Sequence, residues 1–156
     1  MITRSARVTD ATKIAAAHRA SIEELCSMSY AANEIAGWLE NITPEVYGNA
    51  INKKIMIVAE EQDGIVGLGI LDLEQKEIGA VYVHPAVKGR GVGRSLLSEL
   101  EAIASKNDID RLTLCSTVNA HGFYRHYGYI GEEKEFHKLP NGVRLKCVRM
   151  YKTLSK

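Results

Sequence analysis

The chain has 156 residues, 46% of them apolar and 25% charged, which fits a single domain spanning 1–156. A chain of that size buries about two-thirds of the surface it exposes when unfolded. Lys plus Arg number 20 against 19 for Asp plus Glu, a net charge of +1; this excludes the broadly basic face that nucleic-acid affinity demands. No apolar run nears the roughly 18 residues of a membrane span, and MITRSARVTDATK has no hydrophobic secretory core, so the expected compartment is the cytoplasm and no membrane partner is expected. Cys26, Cys115 and Cys147 are odd in number, far apart and outside any CxxC. Reduced, mostly buried thiols are the expectation, with neither a disulfide framework nor a zinc knuckle.

In chain order, Ile2 to Val8 reads as a first strand. Thr9 and Asp10 supply capping side chains for a helix on which Ile14, Ala17, Ile22 and Leu25 recur at near-helical spacing. A second helix is expected over Ala31–Glu40. The pattern then changes to strands at Ile55–Glu60 and Ile65–Leu73, joined by Asp63-Gly64, a dipeptide suited to a tight hairpin. A third strand follows over Glu77–Val83. Val92, Leu96, Leu97, Leu100, Ile103 and Ala104 mark one face of a long helix, with Arg94, Ser98, Glu99 and Glu101 off it. Arg111–Cys115 reads as a strand and Ala120–Tyr127 as a short helix. Two last strands flank the turn Pro140-Asn141-Gly142. The order βααβββαβαββ mixes a meander with helical crossovers, so the class is α+β, or α/β in looser schemes.

The most informative segment is Val81-Tyr-Val-His-Pro-Ala-Val-Lys-Gly-Arg-Gly-Val-Gly-Arg-Ser-Leu-Leu97. A strand runs into a loop with Gly89, Gly91 and Gly93 and then straight into an amphipathic helix. Glycines there let backbone N–H groups approach a ligand, and the helix start adds free amides and the positive end of the dipole. Lys88, Arg90 and Arg94 crowd this end with no acidic residue between His84 and Glu99. Cations at a helix N-terminus are unfavourable by about 0.3–1 kcal/mol, so their presence points to a polyanion that completes the site. It is not held by a P-loop, since no Gly-Lys-Ser/Thr occurs, nor by a dinucleotide GxGxxG, since Arg94 and Leu96 fall where the last Gly belongs.

Lys88-Gly89-Arg90-Gly91-Val92-Gly93 resembles the coenzyme A loop of the GNAT N-acetyltransferase superfamily, in which Gln or Arg is followed by two residues, Gly, one residue and Gly or Ala. Lys88 departs from the first position. Asn119-Ala-His-Gly-Phe123-Tyr124-Arg-His-Tyr-Gly128-Tyr129 resembles the N-A-x-x-F-Y-x-x-x-G-F/Y segment of that family, in the right order downstream. Together the two motifs cover roughly the C-terminal half. The resemblance implies a mixed, mostly antiparallel sheet of about seven strands flanked by about four helices, and acetyl-CoA as acetyl donor with no metal. It also implies that the amides of Gly89, Arg90, Gly91, Val92, Gly93 and Arg94 hold the pyrophosphate, with Lys88 beside them. Val81, Val83 and Asn119 would hold the pantetheine, and Tyr124 would protonate the leaving thiolate. Phe123 and Tyr127 read as helix core.

Acetylation of an amine needs a proton removed, because an alkylamine of pKa near 10.4 is neutral in about one molecule in a thousand or fewer at pH 7. Glu77 occupies the strand position where some lysine-acetylating members carry a base; it reads equally as a solvated strand-start residue. An even spacing places it on one face with Val81 and Val83. The Val83 amide is the expected oxyanion donor. The acceptor should meet Tyr30, Asn33, Glu34 and Trp38, with Trp38 reading first as core. His18, His84, His121, His126 and His137 have no paired metal spacing. The implied activity is acetyl transfer to a primary amine of a small molecule; a protein N-terminal or lysine acetyltransferase and a non-catalytic acyl-CoA-binding module stay open. Edge-strand homodimers are common in such folds.

Overall fold

The computed structural model of the protein describes residues 1–62 and 64–154. Its strands are β1 (Ile2–Ser5), β2 (Ile55–Glu61), β3 (Gly64–Asp72), β4 (Glu77–Val83), β5 (Arg111–Thr117), β6 (Ile130–Lys138) and β7 (Arg144–Thr153). Its α-helices are α1 (Ala11–Leu25), α2 (Ala32–Glu40), α3 (Pro44–Lys53), α4 (Val92–Lys106) and α5 (His121–His126). One seven-stranded sheet runs in the order β1-β2-β3-β4-β5-β7-β6, with β4 and β5 parallel and every other neighbouring pair antiparallel. The α+β class and the strand count are as expected from the sequence. None of the described helices is long and apolar enough to cross a membrane.

Helices cover both faces, which is why Met56, Ile57, Val58 and Ala59 of β2 are buried in succession rather than alternately. On one face Leu96, Leu97, Leu100 and Ala104 of α4 pack over Ile57, Leu71, Leu112, Leu114 and Met150, with Tyr124 and Tyr129 joining them. On the other, Ile14 and Ile22 of α1 pack over Val58 and Leu68 and meet Trp38 of α2 and Tyr47 of α3. The close seat of α4 depends on Gly67 and Gly69 of β3, small strand residues from sequence alone. A Cβ at Gly67 would lie 2.9 Å from Leu96 Cδ1 and 3.1 Å from both the Tyr82 carbonyl oxygen and Val92 Cγ1. Gly67→Val should therefore destabilise by about 2 kcal/mol through overpacking. That is a Tm lower by roughly 4–8 °C in a thermal melt for a domain of this size.

Four expectations are corrected. The first strand stops at Ser5, and Val8–Asp10 is a 3-10 turn leading into α1. A fifth α-helix, α3, was not foreseen. Pro44 starts it at a position where a missing N–H costs nothing, but Tyr47 is its one buried residue and Gly48-Asn49 weakens its propensity. Cys115 and Cys147 are not free thiols; they form a disulfide. They are 32 residues apart in sequence, yet Cys147 pairs with Thr117 across the β5–β7 ladder, which leaves Cys115 diagonal to it on the same face with a Cα–Cα distance of 5.6 Å. Only Cys26 remains free, and it is buried, so the inference of a reducing compartment from unpaired thiols loses its premise.

The fourth correction concerns Glu77. The β3–β4 register pairs Ile70 with Ala80 but Leu71 with Ile78, so Gly79 is an extra residue, a β-bulge that shifts side-chain parity. Ile78 thus joins Val81 and Val83 on the α4 face. Glu77 turns to the opposite face, with Tyr82. Even spacing counted along the sequence fails where the strand carries one residue more than its partner. The expected Asp63-Gly64 turn lies partly outside the described residues.

Candidate active site

Strands β4 and β5 pair only at Glu77↔Thr113 and Ile78↔Leu114. Beyond that point β4 continues to Val83 and β5 to Thr117 without a ladder between them, so the sheet opens into a wedge. The His84 amide donates to the Val66 carbonyl at 2.8 Å on the β3 side. Because amides alternate sides along a strand, those of Val83 and Val81 face the wedge, where no strand accepts them. This is the arrangement expected of an extended ligand that completes the sheet with its own amides.

The mouth of the wedge meets the start of α4. Gly91 is its N-cap in the left-handed region (φ 83°), and Gly89 is left-handed as well (φ 82°). A side chain at either would strain the backbone by about 1–2 kcal/mol. The Ser95 amide is the first to find a helical acceptor, the Gly91 carbonyl at 3.1 Å, which leaves the amides of Val92, Gly93 and Arg94 pointing out of the helix end. No acid occupies that first turn. Lys88, Arg90 and Arg94 are exposed around the loop; Arg90 is tied to Glu61 of β2 at 2.9 Å. Gly93 has a packing role besides, since a Cβ there would stand 3.2 Å from the Phe123 ring. A left-handed glycine cradle, a bare helix start and surrounding cations fit a pyrophosphate.

A cleft of about 240 Å³ continues from this loop, lined by Lys88, Gly93, Val81, Val83, Asn119 and Tyr124 among others. Tyr124, 6% exposed, also borders the smaller cavity inside the wedge, between Gly79–Tyr82 and Leu114–Thr117. Its ring stands edge-on to Phe123 and Tyr129. Among the described residues its hydroxyl has no hydrogen-bond partner, and burial raises its pKa, so it carries its proton at neutral pH. Cys26 lines the same cleft. Burial pushes its thiol up to about 11 against a partly offsetting bond from Asn119, which makes it a poor nucleophile.

A third cavity of about 330 Å³ opens on the opposite face and shares Tyr82, Cys115 and Thr117 with the wedge. Glu77, Tyr30 and Trp38 line it, as do His18 and Tyr47. Asn33 is exposed and does not line it, and Glu34 accepts the Ala31 amide at 2.8 Å as a helix cap. Glu77 accepts from Arg149 at 2.8 Å, and Arg149 is shared with Glu135 at 2.9 Å. His18 tempts as a base, but its ring is buried between Tyr47 and Tyr82, Nδ1 bonds the Tyr47 hydroxyl, and Nε2 has no partner. Burial lowers its pKa to about 3, so it stays neutral. Sequence reading missed Tyr82, Tyr47 and His18 as site residues. Alternation along β4 sets Tyr82 opposite Val81 and Val83, the bulge brings Glu77 to its face and the unforeseen α3 brings Tyr47, while His18 is one helical turn or so from Ile14 and Ile22 on the core face and carries no separate signal.

A family model described as an acetyltransferase (GNAT) domain matches residues 26–154. Among solved structures, a GCN5-related N-acetyltransferase from Rhodopseudomonas palustris is 28% identical with a TM-score of 0.88, over 98% of this chain and 95% of that one. The PaiA N-acetyltransferase of Thermoplasma acidophilum, in complex with coenzyme A, shares the fold at 20% identity and a TM-score of 0.78, over 98% of both chains. YncA of Salmonella typhimurium, with its cofactor acetyl-CoA, does so at 19% and 0.65, over 100% of this chain and 95% of that one. With a family match across most of its length, a wedge between β4 and β5 and a glycine cradle at α4, the chain belongs to the GNAT acetyltransferase family.

Proposed function

We propose that this acetyltransferase moves the acetyl group of acetyl-CoA directly to the primary amine of a small molecule. The observation that carries this reading is the continuous path from the cradle at Gly89–Arg94, past Tyr124, to a separate cavity that holds Glu77. The two substrates enter from opposite faces and meet at the wedge. The loop amides take the pyrophosphate, with Lys88 and Arg94 adding charge, and the Val81 amide and Asn119 take the pantetheine. The neutral amine adds to the thioester carbon, with the Val83 amide donating to the oxygen that gains charge. As the C–S bond breaks, Tyr124 gives its proton to the departing sulfur and is restored by the second proton that the nitrogen loses. Glu77 accepts a proton from the incoming ammonium, directly or through water. The balance is one ammonium and one thioester in, one amide, one thiol and one proton out.

The first test is a thermal-shift titration with acetyl-CoA, CoA, ATP and NADH in parallel. A ligand at 100 times its Kd stabilises the native state by about 2.7 kcal/mol, which is on the order of 5–10 °C here. Acetyl-CoA and CoA should shift the melt and ATP and NADH should not; a shift with NADH alone overturns the cradle. Glu77→Gln should lower kcat/KM for an amine at pH 7 by about 10²-fold, at the low end for general-base loss, with the deficit shrinking as pH rises towards the amine's pKa. A pH-independent deficit removes Glu77 from proton transfer.

A further inference from the structure

The acceptor cavity is built for one kind of amine. We propose, on the foundation of the acetyl-transfer reading, that its substrate is a monoamine with an aromatic or bulky aliphatic body, seated among Tyr30, Trp38 and Tyr82 with its single ammonium at Glu77. Two sets of observations carry this.

The first is the nature of the walls. Tyr30 and Trp38 stand edge-on at 5.5 Å between centroids, and Trp38 and Tyr82 at 6.3 Å, which leaves ring faces and edges towards the cavity. Two hydroxyls at this cavity, those of Tyr30 and Tyr47, are spent within the protein, and the Tyr82 hydroxyl is left to meet a ligand. The Tyr30 hydroxyl donates to the Lys146 carbonyl at 2.5 Å and accepts the Val118 amide at 3.0 Å. Tyr47 is engaged with His18. A body rich in hydroxyls would be stripped of water here and find few partners, at a cost of about 1–3 kcal/mol for each unpaired group. An apolar body gains instead, and a ring adds edge-to-face contact. The volume, about 330 Å³, displaces about ten waters' worth of liquid.

The second is charge. Among the described residues Glu77 is the one carboxylate lining the cavity. It shares Arg149 with Glu135, so that cluster of two carboxylates and one guanidinium carries one net negative charge, while Lys146 on the same lining is exposed to solvent. That suits one ammonium. A polyamine would have to bury further charges beside Lys146 with nothing to pair them, and burying an unpaired charge is strongly unfavourable. Neutral His18 adds no charge to the opposite wall.

Trp38 is the sole tryptophan of the chain, so its fluorescence reads occupancy of this cavity without turnover. Titrating the protein with 2-phenylethylamine, spermidine, kanamycin and an alanine-initiated tetrapeptide should give saturable change with 2-phenylethylamine at a concentration at least tenfold below the others. Thiol release from acetyl-CoA should rank the four in the same order. Glu77→Gln should raise the half-saturation for 2-phenylethylamine about tenfold and leave that for 2-phenylethanol, which lacks the charge, in place. Equal or tighter response to spermidine, kanamycin or the peptide overturns the proposal, as does a silent Trp38 with 2-phenylethylamine in a protein that acetyl-CoA stabilises. A Trp38 response in a protein that acetyl-CoA fails to stabilise would sink the donor reading and leave the cavity a monoamine-binding site without that reaction.

Discussion

Tyr124→Phe should lower kcat by about 10²–10³-fold, within the range for loss of a general acid, while acetyl-CoA affinity and Tm stay within experimental error. The Tyr124 ring is held by Phe123 and Tyr129, and phenylalanine keeps those contacts. The hydroxyl bonds nothing among the described residues, so its removal breaks no bond that the fold uses. Tyr124 lines both the cleft and the wedge cavity, so its unpaired hydroxyl is placed where a substrate atom can pair with it during the reaction. Burial raises its pKa, so the proton is on the oxygen when a thiolate departs. Tyr82 is the other tyrosine hydroxyl of this region without a hydrogen bond, also raised by burial, and it separates the alternatives. A full rate in Tyr124→Phe with a loss in Tyr82→Phe would move the acid to Tyr82.

What could be read from the chain depended on whether the signal was local. The cradle is local: Gly89, Gly91 and Gly93, their flanking cations and the apolar stripe from Val92 to Ala104 lie within 17 consecutive residues, and the structure places the glycines and cations at the start of α4. The strands and α4 were legible for the same reason, since period and turn residues act over short spans. Registers are not local. The bulge at Gly79 changes the face of Glu77, and only the partner strand reveals it. The Cys115–Cys147 bond depends on how β5 and β7 slide past each other. The aromatic cage joins α1, the connection between α1 and α2, α2, α3 and β4, five segments with no common motif; of its members Tyr30 and Trp38 stood out, whereas Asn33 and Glu34 beside them belong to the exposed face and the cap of α2.

His18 carries the second large expectation, and it concerns stability. Its imidazole is 7% exposed, and protonation would put a second N–H at Nε2, where no acceptor exists. The folded pKa is accordingly about 3, against 6.5 for the free side chain. Below pH 6.5 the unfolded chain therefore binds a proton that the folded one refuses, so stability is complete above that value and falls as pH drops from 6.5 towards 3. The slope approaches about 1.4 kcal/mol per pH unit, and the loss between pH 6.5 and 4.5 is roughly 2.3 kcal/mol. Carboxylates act lower on the scale. Arg4 bonding holds Asp10 and Glu60 below their usual values, and Arg149 does so for Glu135; their contributions are present above about 4.5 and are lost beneath it. The interval from pH 6.5 to 5 thus isolates the histidine. Urea melts at half-unit steps should show His18→Gln, whose amide can donate to or accept from the Tyr47 hydroxyl, with a flatter fall than the parent over that interval. Equal slopes would mean that the ring reaches water or a partner when protonated. His18 would then be free to take a proton from the acceptor amine, and the role given to Glu77 would have to be shared.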